Sequence, residues 1–179
     1  MDFQEIFDFA EPSRDVQDRM KEKTSKFAEM RNSKIHGKGI FAKTNIPKNS
    51  KVIEYIGEKV TKKESDKRFE KTLEKSEKDN SKGEVYLFEL DDKYDIDGDV
   101  SWNTAKWINH SCEPNCETEI EDDKIWIVST KDIKKGEEIC YNYGFGWEEH
   151  DDYPCKCGTS KCVGYILDEE QWPRLKKSS

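Results

Sequence analysis

No cysteine stands before Cys112 in this chain of 179 residues. All six fall in the last third or so of the sequence, which excludes a thiol-based metal cluster or disulfide framework in the first 111 positions. Histidine is scarce, with three residues, and proline is limited to five. No apolar run approaches the length needed to cross a bilayer, and the opening "MDFQEIFDFAEPSRD" is acidic and lacks the positive start of a secretory signal. Repeats of solenoid length are missing, as is any run of five or more Lys/Arg that would mark a nuclear signal. Basic residues are outnumbered, 31 Lys+Arg against 39 Asp+Glu, for a net charge of -8. That balance makes a poor direct ligand for the nucleic-acid backbone. It suits a basic peptide partner, or simply keeps the chain soluble.

What is present is organised in a readable order. Residues 1–30 form a charged extension in which Ser13 is placed to cap a short helix, "RDVQDRMKEK". Short strands are expected near 39–43 and 51–57, separated by a turn at "IPKNS". "TKKESDKRFEKTLEKSEKDN" predicts a helix with Thr61 and Glu64 at capping-box spacing, and a thin apolar stripe at Phe69 and Leu73. Most of that helix should face solvent. "EVYLFELDDKYDIDGD" reads as two strands around a turn at Asp91-Asp92, and "DKIWIVSTKDIKKGEEICYNYG" as two more with Gly136 between them. The pattern predicts a β-rich α+β fold with one helical insert.

Three stretches carry chemistry. "YPCKCGTSKC" holds Cys155, Cys157 and Cys162 at C-x-C-x4-C spacing. Cysteines so close in sequence, without a secretory signal, point to a metal in a reducing compartment more than to disulfides. A closed zinc site needs a fourth ligand. His150 or Cys140 would make the tail self-contained, although His150 sits in what reads as a solvated acidic loop, "EEHDDYP". "WINHSCEPNC" crowds Asn109, His110, Ser111 and Cys112 behind an apolar pair, a density of polar groups that must find partners if buried. A Cys-His nucleophile there lacks a visible orienting group; a plain turn is the simpler alternative. In "EEICYNYGFGW", strand alternation puts Ile139, Tyr141 and Tyr143 on one face and Cys140 and Asn142 on the other. "HGKG" lacks the third glycine and the strand-to-helix setting of a dinucleotide loop.

Taken in order, "IHGKGIFA", "VIEYIGE", "YLFEL", "NTAKWINHSCEPNC", "KKGEEICYNY" and "CKCGTSKC" resemble a SET-domain protein lysine methyltransferase with a post-SET zinc segment, over roughly residues 31–167. The resemblance implies a SET fold of small curved β-sheets with a pseudoknot-like threading. It implies an N-terminal extension at 1–30, a catalytic domain at 31–147, and a post-SET zinc-binding segment and tail at 148–179. S-adenosylmethionine would be held by His36, Lys38 and Gly39 at its amino-acid end and by Asn109 and His110 at its adenine end. Tyr86 would also reach it, and Tyr165 and Ile166 would cover it. Tyr143 would be the catalytic tyrosine, with Tyr55 and Tyr141 walling the lysine channel. The resemblance supplies Cys112 as the fourth ligand, beside Cys155, Cys157 and Cys162, to one structural zinc ion. Tyr141 implies a bias toward mono- or dimethylation.

The resemblance has departures. Lys106 and Trp107 stand where Arg and Phe are common, and Cys140 and Asn142 where Thr and Asp are frequent. Nothing here resembles the cysteine-rich pre-SET zinc cluster of some relatives, because no cysteine precedes Cys112. Acidic stretches at "DDKYDIDGD", "EIEDD" and "EEHDD" are expected to steer a basic, lysine-bearing protein, a histone tail above all, toward a monomeric enzyme with no membrane or direct nucleic-acid binding. Action at chromatin is implied in a eukaryotic setting and in the cytoplasm otherwise. A catalytically silent reader of lysine peptides, or an interaction module on the same fold, is the competing reading.

Overall fold

The computed structural model describes residues 25–79 and 85–175; the helix expected near residues 14–23 lies outside them. Ten short strands form three small sheets. The first sheet contains β1 (Ala28–Asn32), β2 (Lys38–Ala42), β10 (Glu138–Tyr141) and β7 (Asn109–His110), in the order β1-β2-β10-β7. The second is β3 (Lys51–Tyr55), β9 (Lys124–Ser129) and β8 (Cys116–Glu121), and the third is β4 (Glu58–Thr61), β6 (Tyr94–Asp97) and β5 (Leu87–Glu89), each with its central strand in the middle of that order. Helix α1 (Lys62–Asp79) follows β4 directly, and a single turn, α2 (Trp172–Leu175), closes the described chain.

The strands expected from β-branched runs form where the pattern places them. Four others, β1, β4, β7 and β8, lie outside those runs. Strand β8 exposes five of its six residues and is built of Glu and Thr around Ile120, so no apolar stripe betrays it. It is held by full antiparallel register with β9, through a turn in which Asp122 and Asp123 both take positive φ, as a two-residue hairpin demands. Strand β1 begins at Ala28, so the first sheet takes in the end of the segment read as an extension. Phe27 packs on the core, and the Ser25 hydroxyl donates to the Val52 carbonyl at 2.6 Å.

The core lies between the sheets and is dominated by isoleucine: Ile40, Ile46, Ile108, Ile125, Ile127 and Ile139 are essentially inaccessible. Burying each such side chain favours folding by roughly 1.5–3 kcal/mol. Helix α1 contributes little to it. Thr61 caps the helix, its hydroxyl oxygen accepting from the Glu64 N–H at 3.3 Å, while the Glu64 carboxylate pairs with Arg68 one turn on. Leu73, expected on an apolar stripe, is exposed. Ion pairs hold the helix instead: Lys62 with Asp95 at 2.7 Å, and Arg68 with Asp97 at 2.5 Å and Glu58 at 2.8 Å. No helix among the described residues is long and apolar enough to cross a membrane.

Candidate active site and metal centre

Strand β7 is only two residues long, yet it organises the site. It runs parallel to β10, with Asn109 opposite Cys140 and His110 opposite Tyr141. The Asn109 side chain points into the protein, its amide donating to the Lys38 carbonyl at 2.9 Å and to Glu138 Oε1 at 2.8 Å. Ser33 donates its hydroxyl to the same Glu138 oxygen at 2.7 Å. These bonds staple the "HGKG" turn to the sheet. Gly39 sits at the crossing, where a Cβ would overlap Glu138 Oε1 and crowd Ser33 and Asn109. Its lack of a side chain therefore serves close packing behind the turn, and Gly39 does not line the cavity described next.

A cavity of about 530 Å³ opens beside this turn. His36, Lys38, Tyr86, Asn109, His110 and Ile166 line it together with Tyr55, Tyr141 and Tyr143. The residues expected at a cofactor and those expected at a lysine channel thus share one continuous space, Gly39 excepted. Tyr165 does not join them: its ring lies edge-on to His150, with centroids 4.9 Å apart. Phe88, Phe145, Tyr153 and Trp107 also line the cavity, and the sequence reading missed them. Phe88 stands two residues from Tyr86 on the same short strand run, which was the available signal. It packs on Tyr55 (5.2 Å) and Tyr141 (6.3 Å). Phe145 and Tyr153 come from loops whose sequences have no periodicity to read.

Tyr141 ends β10 and Tyr143 lies just beyond it, but their rings remain neighbours at 5.0 Å, as strand alternation requires. The Tyr143 hydroxyl donates to the Ile108 carbonyl at 2.8 Å, and the Tyr55 hydroxyl to the Tyr86 carbonyl at 2.7 Å. With their protons so committed, both oxygens keep lone pairs for other donors. Burial pushes the phenols of Tyr55, Tyr141 and Tyr143 well above the ordinary tyrosine range, so all three stay neutral near pH 7. Burial also lowers His110 to about 4, leaving it neutral.

The four sulfurs of Cys112, Cys155, Cys157 and Cys162 lie within 4.8 Å of one another. Cys112 and Cys155 are 3.7 Å apart. Tetrahedral zinc with Zn–S bonds of about 2.3 Å requires sulfurs about 3.8 Å apart, so the donor set and spacing fit that ion. Burial raises the Cys112 thiol to about 11. Burial also works to raise Cys157, but hydrogen bonds from Thr159 and the neighbouring cysteines outweigh it and bring that thiol down to about 6. The alternative ligands are placed elsewhere. His150 is buried and not solvated as its acidic loop suggested: it stacks on Trp147 at 4.3 Å, with Nδ1 2.6 Å from the Trp147 carbonyl. Cys140 is buried in β10.

Acidic residues are distributed differently from the expectation. Within "DDKYDIDGD", Asp95, Asp97 and Asp99 are taken up by Lys62, Arg68 and Lys106. In "EIEDD", Glu121 and Asp123 pair with Lys51 and Lys59. Of the three stretches only "EEHDD" reaches the cavity, through Asp152, and it is joined there by Glu89 from β5.

Comparison with known proteins identifies the family. The SET domain family profile matches residues 37–144. "Histone-lysine N-methyltransferase, H3 lysine-4 specific" of Schizosaccharomyces pombe is 43% identical over 138 residues, covering 75% of this chain and 14% of that protein. "Histone-lysine N-methyltransferase trr" of Drosophila melanogaster is 38% identical over 149 residues, covering 80% and 6%. Human "Histone-lysine N-methyltransferase 2D" is 36% identical over 135 residues, covering 73% and 2%. The matched region is thus a small part of each of these relatives. S-adenosylmethionine is the methyl donor of SET methyltransferases as a family. On the profile match and these identities, the chain belongs to the SET domain family.

Proposed function

We propose that this chain transfers methyl groups from S-adenosylmethionine to the ε-amine of lysine in a basic protein, with a histone tail as the leading substrate. The observation that carries the reading is the single cavity joining the stapled "HGKG" turn and the Asn109–His110 strand at one side to Tyr55, Tyr141 and Tyr143 at the other. A silent reader of lysine needs only the aromatic side. In this reading His36, Lys38, Tyr86, Asn109, His110 and Ile166 hold the cofactor, and Gly39 acts by shaping the turn.

S-adenosylmethionine supplies a methyl group carried on a positively charged sulfur. The protein's part is to bring a neutral amine in line with it. A free lysine has a pKa near ~10.4 and is almost wholly charged at neutral pH. Entry into a channel walled by Tyr55, Phe88 and Tyr141 removes water and disfavours the ammonium. Burial holds all three phenols of the channel neutral, so none of them enters the reaction as a phenolate. The phenol oxygens of Tyr143 and Tyr55, their protons held by backbone carbonyls, keep lone pairs that would accept weak C–H···O contacts from a methyl group bound beside them. Aromatic faces stabilise the cationic nitrogen as it forms. Alignment of the two reactants supplies on the order of 7–11 kcal/mol in ideal intramolecular cases.

The four-cysteine site fits one zinc ion, which would pin residues 148–167 across the cavity. Glu89 and Asp152 at its wall favour a substrate with basic residues beside the lysine. A tyrosine at position 141, in the cavity wall, would leave less room for added methyl groups and favour mono- or dimethylation. Chromatin is the place of action in a eukaryotic setting, in keeping with relatives named as histone methyltransferases. The test is transfer from labelled S-adenosylmethionine to core histones and a lysine-peptide array, with Tyr143→Phe alongside. No transfer to any substrate, or equal transfer by the variant, overturns the enzyme reading; trimethyl-lysine as the main early product by mass spectrometry overturns the product bias.

A further inference from the structure

The five residues from Ile108 to Cys112 contact Tyr143 and supply one member of the sulfur cluster. The Ile108 carbonyl accepts the Tyr143 hydroxyl at 2.8 Å. The Tyr143 backbone N–H donates to His110 Nδ1 at 3.2 Å, and the two rings lie edge to face with centroids 5.5 Å apart. A backbone N–H can only donate, so Nδ1 bears the lone pair, and a neutral imidazole then carries its hydrogen on Nε2. That Nε2 is 3.6 Å from Cys112 Sγ. The histidine is buried, and both ring nitrogens face protein atoms at these distances.

We propose that His110 is a positioning residue that ties the metal centre to Tyr143. Its Nε2–H donates to the Cys112 sulfur while its Nδ1 holds the Tyr143 backbone. A metal-bound thiolate keeps lone pairs and negative charge, and is a stronger acceptor than a thiol. Hydrogen bonds to ligand atoms set their orientation and the metal's affinity. With the metal bound, the Cys112–His110 bond is strong, the ring is fixed and Tyr143 is held at both N–H and hydroxyl. With the metal removed, the Cys112 sulfur is no longer held in place by a bond to the ion, the donor on Nε2 loses a fixed acceptor, and one of the two restraints on Tyr143 slackens. The metal state is thus felt at Tyr143 through two hydrogen bonds and one ring. The inference rests on the four-cysteine metal site and does not require the proposed reaction.

The test uses the full zinc-loaded chain with nitrogen-15 histidine. Nuclear magnetic resonance should find His110 as the Nε2–H tautomer, with its resonances moving on zinc removal by a chelator. Hydrogen on Nδ1, or a ring signal indifferent to the metal, overturns the proposal. Two substitutions separate the ring's ends. His110→Asn keeps an acceptor near the δ position and loses the donor to sulfur; its zinc affinity should fall about 10–100-fold. His110→Gln keeps an N–H that reaches the sulfur and loses the δ acceptor; its zinc affinity should stay within a few-fold of the parent while kcat falls more than KM for the methyl donor changes. Equal zinc affinities in parent and Asn variant overturn the proposal. The tautomer is read in the unsubstituted chain, so the proposal stays testable if a variant fails to fold. Zinc affinity and tautomer are read without substrate, so they stand or fall separately from methyl transfer.

Discussion

The hydroxyl of Tyr143 and the carbonyl of Ile108 lie 2.8 Å apart, although 35 residues separate them in the chain. The bond fixes the phenol at the junction of the proposed cofactor and lysine spaces. Tyr143→Phe keeps the ring and removes the bond. It should lower the rate of methyl transfer by about 10²-fold or more, the scale of a misplaced catalytic group. Calorimetry should show the affinity for S-adenosylmethionine changed by no more than a few-fold.

Gly39 is hemmed in by Glu138, Ser33 and the Asn109 amide. A Cβ there must push apart the group of hydrogen bonds that staples the "HGKG" turn. Gly39→Ala should cost about 1–3 kcal/mol of stability, as overpacking does. It should also weaken cofactor binding, although the residue does not face the cavity. Thermal unfolding and a binding titration check the two effects; unchanged values in both would show that the turn gives way freely.

Arg68 links α1 to Glu58 and Asp97 while about a third of its side chain stays exposed. Pairs of this kind contribute up to about 1 kcal/mol each and are screened by salt. Raising ionic strength, or Arg68→Ala, should speed hydrogen exchange in α1 and leave β2 and β10 unaffected. Slowing, or equal acceleration of all elements, would contradict the picture of a helix held by charge.

The thiols should separate by reactivity once metal is stripped. Cys157 lies at about 6, lowered by Thr159 and the neighbouring sulfurs against the effect of burial. Its thiolate is therefore the major form above that pH, and alkylation should fall away as pH drops through about 6. Burial raises Cys116 to about 12 and Cys140 further, so both should stay unmodified while the chain is folded. Peptide mapping after brief iodoacetamide treatment at pH 7 reads the order; early modification of Cys140 would contradict it.

Much of this molecule was legible in sequence because its information is local. Strand alternation placed Tyr141 and Tyr143 side by side, and the rings are 5.0 Å apart. Glycine and the paired aspartates marked turns, and the ordered motifs pointed to the SET domain. The readings that failed depended on neighbours distant in sequence. Strand β8 is polar and exists through its register with β9. Three of the five acids of "DDKYDIDGD", expected to attract a substrate, are paired with Lys62, Arg68 and Lys106. His150, set in a row of acids, is buried because Trp147 and Tyr165 close on it.

The amino-acid order by itself determined the strands built from β-branched and aromatic runs, the turns, the aromatic face of β10 and the three clustered cysteines, since each follows from residues a few positions apart. Only the tertiary structure decided which groups share the cavity, that Gly39 packs behind it, and how Cys112 meets the three sulfurs from the tail. Those relations join segments tens of residues apart, and chain closure over such distances is set by the packing of the three sheets and not by local preference.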